Sequence, residues 1–210
     1  MTAHQIHILS VAQHFVTEVI ENEVPSLFVF HNIHHTRDVA KSVQFLSQHH
    51  ELNDIDEFVL FLSAWFHDTG FKAGRVENHE AESIKLAKDF LRRQKMAADT
   101  ITLVEACIHA TRMPQVPNHT IHKILCDADL YHLGTDDFPE WNSLLKQELT
   151  NYHKNELSEE KWRQQNIGFL SQHRYCTSFA QQTLEPVKQG WIKHLKDAIP
   201  RHPQHIRLER

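Results

Sequence analysis

The chain has 210 residues, a formal net charge of -5, 40% hydrophobic and 23% charged residues, enough for one domain with a large core. The acidic balance argues against nonspecific nucleic-acid binding, which rests on basic surface, and no apolar run is long enough to span a membrane. The start Met1-Thr2-Ala3-His4-Gln5 lacks signal-peptide character. Cys107, Cys126 and Cys176 are far apart with no CxxC, which suggests neither a disulfide framework nor a thiolate zinc site and fits a reduced, cytoplasmic setting.

With 5 Gly and 7 Pro the chain favours long helices over a turn-rich sheet. Residues 4–22 carry Ile8, Val11, Ala12, Phe15, Val19 and Ile20 at helical spacing, and Pro25 ends that helix. The segment 27–33 is a connection to a second helix starting near Thr36, with Val39, Val43, Leu46 and His50 on one face. Asn53-Asp54 caps a third helix whose Ile55, Phe58, Val59, Leu62, Trp65 and Phe66 mark a buried face. Residues 69–77 form a loop; Asn78 is the N-cap of a fourth helix, with Glu80 and Glu82 in its first turn and Ile84, Ala87 and Leu91 as its stripe. Further helices cover about 97–111, ended by Pro114 and Pro117, then about 119–133, 138–154 and 158–178. Ser158-Glu159-Glu160-Lys161 gives the last of these its capping start. A final helix carries Leu184, Val187, Trp191 and Leu195, and Pro200 and Pro203 mark a frayed basic tail. The periodicities predict a single all-α domain over 1–210 of about eight or nine helices, with Trp65, Phe66 and Trp191 in the core and Cys126 a small buried residue.

The third helix runs directly into His67-Asp68 and Gly70. A carboxylate at the end of so apolar a helix is costly unless paired or coordinated, which points to a metal ion. Other His and Asp residues occur where helices begin or end, in His31-Asn32-Ile33-His34-His35-Thr36, Asn78-His79-Glu80, Ile108-His109-Ala110 and Cys126-Asp127-Ala128-Asp129. Imidazole and carboxylate donors suit zinc, manganese, iron, nickel, cobalt or magnesium. Most of the 19 His are surface residues, His34 among them.

A His, an adjacent His-Asp pair and a distant Asp in an all-helical chain resemble the HD-domain superfamily of metal-dependent phosphohydrolases, over about residues 28–135. The resemblance implies the helical HD-domain bundle and the metal ligands His35, His67, Asp68 and Asp129. Asp129 is preferred to Asp127 because relatives place the ligand Asp after Ala, as in Ala128-Asp129. Asp127 is then a cap or hydrogen-bonds a ligand His. The segment Phe30-His31-Asn32-Ile33-His34-His35 also resembles the Tyr-His-Asn-x-x-His element of cyclic nucleotide phosphodiesterases, with Phe30 in place of Tyr, which implies His31 as general acid. HD-GYP phosphodiesterases and HD-type di-iron oxygenases add His ligands between the pair and the last Asp. By that likeness His79 and His109 hold a second metal bridged by Asp68; the Gly-Tyr-Pro signature of HD-GYP is missing.

The resulting expectation is a phosphohydrolase, phosphatase or phosphodiesterase, using one or two divalent ions on a small phosphorylated, nucleotide-like substrate. Lys72, Arg75 and Arg112, in loops beside the ligand segments, are the candidate phosphate contacts. The alternatives are a di-iron oxygenase and a non-enzymatic ligand-binding module of the same fold. The C-terminal helices, about 136–198, carry no motif; covering the pocket and forming a homodimer face are the two roles open to them.

Overall fold

The computed structural model describes residues 1–198. The proline-bearing tail expected after residue 199 lies outside the described residues. The described chain is all helical: α1 (Ala3–Glu23), α2 (Ile33–Ser47), α3 (Asp54–Phe66), α4 (His79–Arg93), α5 (Ala98–His109), α6 (Thr120–Asp129), α7 (Phe138–His153), α8 (Glu159–Gln172), α9 (Ser178–Thr183) and α10 (Glu185–Asp197). Two 3-10 turns, Thr69–Ala73 and Tyr131–Gly134, follow α3 and α6. No helix among the described residues is long and apolar enough to cross a membrane.

α3 is the central post. Leu60 and Ala64 are buried as completely as Phe58, Val59, Leu62 and Phe66, so the helix is apolar on all sides. It packs against α1, α2, α4, α5 and α6, and their buried faces join it in one core. Asn53 caps it, its Oδ1 accepting from the amides of Ile55 and Asp56 at 3.0 and 2.9 Å. Three acidic residues in its first turn, Asp54, Asp56 and Glu57, suit the positive end of the helix dipole.

Several boundaries move for identifiable reasons. α2 begins at Ile33 rather than near Thr36, because Asn32 already caps it with Oδ1 accepting from His34 N at 2.7 Å. It ends at Ser47, so His50 lies beyond it. Asn78 precedes α4 but sits in the left-handed region at φ 60° and its side chain makes no capping bond. The segment expected as one helix over 158–178 is α8 and the start of α9, separated at His173–Thr177. Trp65 is core, whereas Trp191 is only partly buried and donates its Nε1 hydrogen to Thr135 O at 2.9 Å.

The C-terminal helices form smaller clusters, one of Leu133, Phe138, Leu170 and Ile192, another of Tyr175, Ala180 and Leu184. Buried carboxylates tie them to the core. Asp127, in α6, accepts from the backbone amides of Cys176 and Thr177 at 2.6 and 2.8 Å. Burial pushes its carboxyl up, against the pull of these donors. Asp127→Ala leaves two inward amides without an acceptor and should cost about 2 kcal/mol or more, read from the denaturant midpoint.

Between α8 and α10, Lys188 is fully buried and bonds His173 O at 2.7 Å, with its Nζ 3.1 Å from His173 Nδ1 and 2.9 Å from Glu185 Oε2. Burial first, then the Lys188 charge, pushes His173 down to about 4. In the unfolded chain this imidazole takes up a proton near its ordinary value of 6.5, well before the folded one does. The stability linked to it is therefore complete above that value and drains away as pH falls toward about 4. His173→Gln should lose less melting temperature than the native chain between about pH 7.5 and about pH 5.

Candidate metal centre

Three helix ends meet. Asn32 fixes the first turn of α2 and so turns His35 inward, where it is 3% exposed. The burial of Trp65 and Phe66 at the end of α3 carries His67, the C-cap, and Asp68 into the interior. Asp129 is the last residue of α6, directly after buried Ala128. One donor atom from each of His35, His67, Asp68 and Asp129 lies within 4.8 Å of all the others.

This geometry fits a metal ion. His67 Nδ1 donates to Ala64 O at 2.8 Å, which turns Nε2 toward the cluster. His35 Nε2 lies 3.3 Å from Asp68 Oδ2 and 3.3 Å from Asp129 Oδ1, and His67 Nε2 lies 3.2 Å from Asp68 Oδ2. None of these contacts is aligned as a hydrogen bond, so His35 Nε2, His67 Nε2 and Asp68 Oδ2 are buried without partners. Three unpartnered buried atoms aimed at one point are costly unless a cation joins them. No thiol takes part, since Cys126 Sγ lies 3.1 Å from Ala110 O.

The four groups shift one another's protonation. Burial disfavours the charged forms of all four groups, yet the Asp68 charge, with Asp129, raises His67 well above its ordinary value. Asp129 and Asp68 raise His35 in the same way. Against burial, the His67 charge and the His35 contact hold Asp68 well below the usual carboxylate range, and His35 and His67 lower Asp129.

His79 enters from the start of α4. Its Nδ1 donates to Val76 O at 2.8 Å, and its Nε2 stands 3.5 Å from Asp68 Oδ1, the oxygen opposite the one shared by His35 and His67. His109 does not join it. It is exposed at the end of α5 and lines a separate surface depression with Arg112, so the expected second pair is not assembled. The side chain that does stand beside His79 is Glu80, buried, with Oε1 3.7 Å from His79 Nε2.

His31 lies at the rim, its ring stacked on Phe71 at 4.1 Å, and Phe71 is stacked in turn on His79 at 4.3 Å. Its Nδ1 is 2.5 Å from Glu148 Oε1. The other oxygen of Glu148 accepts from the amides of Phe30 and His31 at 2.8 and 3.0 Å. Glu148, on α7 and fully buried, is a site residue that the local sequence gave no means of finding, since it lies 117 residues from its partner. His132 is another omission. It packs against Phe30 and Trp141, and burial, then the nearby His35 charge, lowers it to about 3. Its position three residues after Asp129 was the available signal.

The three expected phosphate contacts are elsewhere. Lys72 pairs with Glu23 at 2.7 Å, Arg75 with Glu82 at 3.1 Å, and Arg112 is exposed beside His109. His34 is exposed, as expected. No protein-family model, curated protein or solved structure matches the chain.

Proposed function

We propose that this chain is a metal-dependent phosphohydrolase that cleaves a phosphate ester of a nucleotide or other small molecule. The observation that supports it is the convergence of His35, His67, Asp68 and Asp129, with three of their donor atoms buried and unpartnered. His35, His67, Asp68 and Asp129 would hold the divalent ion, which would supply an acidified water, its pKa lowered from about 15.7 toward about 7, and a Lewis acid for a phosphoryl oxygen. The residues around it bring substrate and protons into register. With Nδ1 held by Glu148, His31 has only Nε2 left to face the cavity it lines. A proton on that nitrogen passes to the leaving alkoxide, and the Glu148 carboxylate offsets the imidazolium charge. Stacking on Phe71 fixes the plane of the His31 ring, so the proton is presented in one direction.

Protein loaded with manganese, nickel, cobalt or magnesium should hydrolyse at least one member of a phosphomonoester and phosphodiester panel. His67→Ala and Asp68→Ala should abolish that activity. His31→Asn should keep the metal and lower kcat about a hundredfold or more. Activity that survives loss of both His67 and Asp68 overturns the proposal. The oxygenase alternative requires His109 as a ligand and loses support from its exposure. A panel silent with every metal, together with a nucleotide that still raises the melting temperature, would favour a ligand-binding module instead.

A further inference from the structure

Beside the cluster is a cavity of about 210 Å³. One end is polar, with Asp68, Glu80, Asp129, His31 and His79. The body is apolar, walled by Leu130, Leu133, Phe138, Trp141 and Leu145. Met113 and Phe169 also line it and remain 51% and 37% exposed. Two amides interrupt the apolar wall. Asn166 donates Nδ2 to Trp162 O at 2.9 Å, which leaves its Oδ1 to accept, and the Asn142 side chain has no hydrogen bond among the described residues.

No lysine or arginine lines this cavity among the described residues, while three carboxylates do. Lys72 pairs with Glu23 and Arg75 with Glu82, away from this cavity, while Lys41, paired with Asp38, lines a separate depression that shares Asp129, His132 and Trp141 with it. Arg174, in the adjoining depression, bonds the carbonyls of Ser171 and His173, and Lys188 is fully buried. Beyond the phosphate at the metal ligands, a second or third phosphate inside this cavity would thus lie against carboxylates and apolar carbon with no lysine or arginine as partner. The volume is also below the roughly 300–1,000 Å³ of pockets that enclose drug-sized ligands.

We propose that the site takes a monophosphate ester whose alcohol is a small apolar or aromatic body with one hydrogen-bonding edge, and that it discriminates against polyphosphates. The phosphate end meets the metal ligands, the apolar body fills the cavity between α6, α7 and α8, and Asn142 and Asn166 read its polar edge. The assignment of the phosphate end rests on the phosphohydrolase reading above.

The test compares phenethyl phosphate with ethyl phosphate on the manganese-loaded protein. Both release a primary alkoxide, so the ratio of their kcat/KM values reports the phenyl ring alone. The ratio should be about tenfold or more in favour of phenethyl phosphate, since even a single methylene in an apolar pocket discriminates by about that factor. Phe169→Ala, and independently Met113→Ala, should reduce the ratio several-fold. Adenosine triphosphate should inhibit less well than phenethylphosphonate. A ratio near one, or tighter inhibition by the triphosphate, overturns the proposal. If no ester is cleaved with any metal, the phosphohydrolase reading fails by itself. Calorimetric binding of phenethylphosphonate against ethylphosphonate then still decides the ligand class, and equal affinities reject it.

Discussion

Asp68→Ala is expected to bind manganese more than a hundredfold more weakly than the native chain, beyond the 10–100-fold typical of losing a partner outside the coordination shell. Asp68 is buried, offers Oδ2 to the point faced by His35 and His67, and offers Oδ1 to His79. No other carboxylate has both positions. Asp68→Asn, of nearly the same shape, should fold and still lose most of the affinity, which separates loss of charge from loss of packing. Isothermal titration with manganese reads both variants. The same titration should show proton release. His35 and His67 are raised by the adjoining carboxylates and carry protons that a metal must displace, so affinity should climb as pH rises through neutrality. A manganese affinity unchanged in Asp68→Ala would remove the basis of the metal site.

Gly70→Ala should be the most damaging small change in the chain. The Gly70 amide donates to Ser83 Oγ at 2.8 Å. A Cβ at residue 70 would lie 1.9 Å from His79 O and 2.8 Å from Ser83 N. These are backbone atoms at the start of α4, so no rotamer change relieves the clash; either α4 or the turn Thr69–Ala73 must shift. A loss of about 3 kcal/mol or more is expected. For a chain of this size that is a fall of roughly 6–12 °C in melting temperature. Because His79 opens α4, the same displacement should weaken whatever His79 does at Asp68. Gly168→Ala is the control: it lies within α8 and nothing stands within 4 Å of its Cβ, so it should be neutral or slightly stabilising.

Much of this was legible in the residues. The 3.6-residue spacing of apolar side chains located the helices, and Asn53 and Ser158 marked two starts that are indeed N-caps with side-chain bonds. The preference for Asp129 over Asp127 has a simple geometric counterpart. Two residues apart on a helix, their side chains point about 200° apart. α6 therefore sends Asp129 to the cluster and Asp127 to the amides of Cys176 and Thr177. The exposure of His109 was also accessible: Ile101, Val104 and Ile108 define the buried stripe of α5, and the residue after Ile108 turns about 100° away from it.

What the sequence by itself determined was local: which segments are helices, which face of each is apolar, and which helix ends carry imidazole or carboxylate. Those properties follow from residues within a few positions of each other, where periodicity and capping act. The tertiary structure alone decided how the ends converge. The Glu148 bonds to Phe30 and His31 span 118 and 117 residues, and no short-range pattern encodes such a meeting. It also decided the fate of the cations, since Lys72 and Arg75 are neutralised by Glu23 and Glu82 on neighbouring surfaces rather than turned into the cavity. The His67-Asp68 pair could be found by reading along one helix; its partners come together only because α2 and α6 pack against α3, and the apolar chamber beside it exists only because α6, α7 and α8 pack where they do.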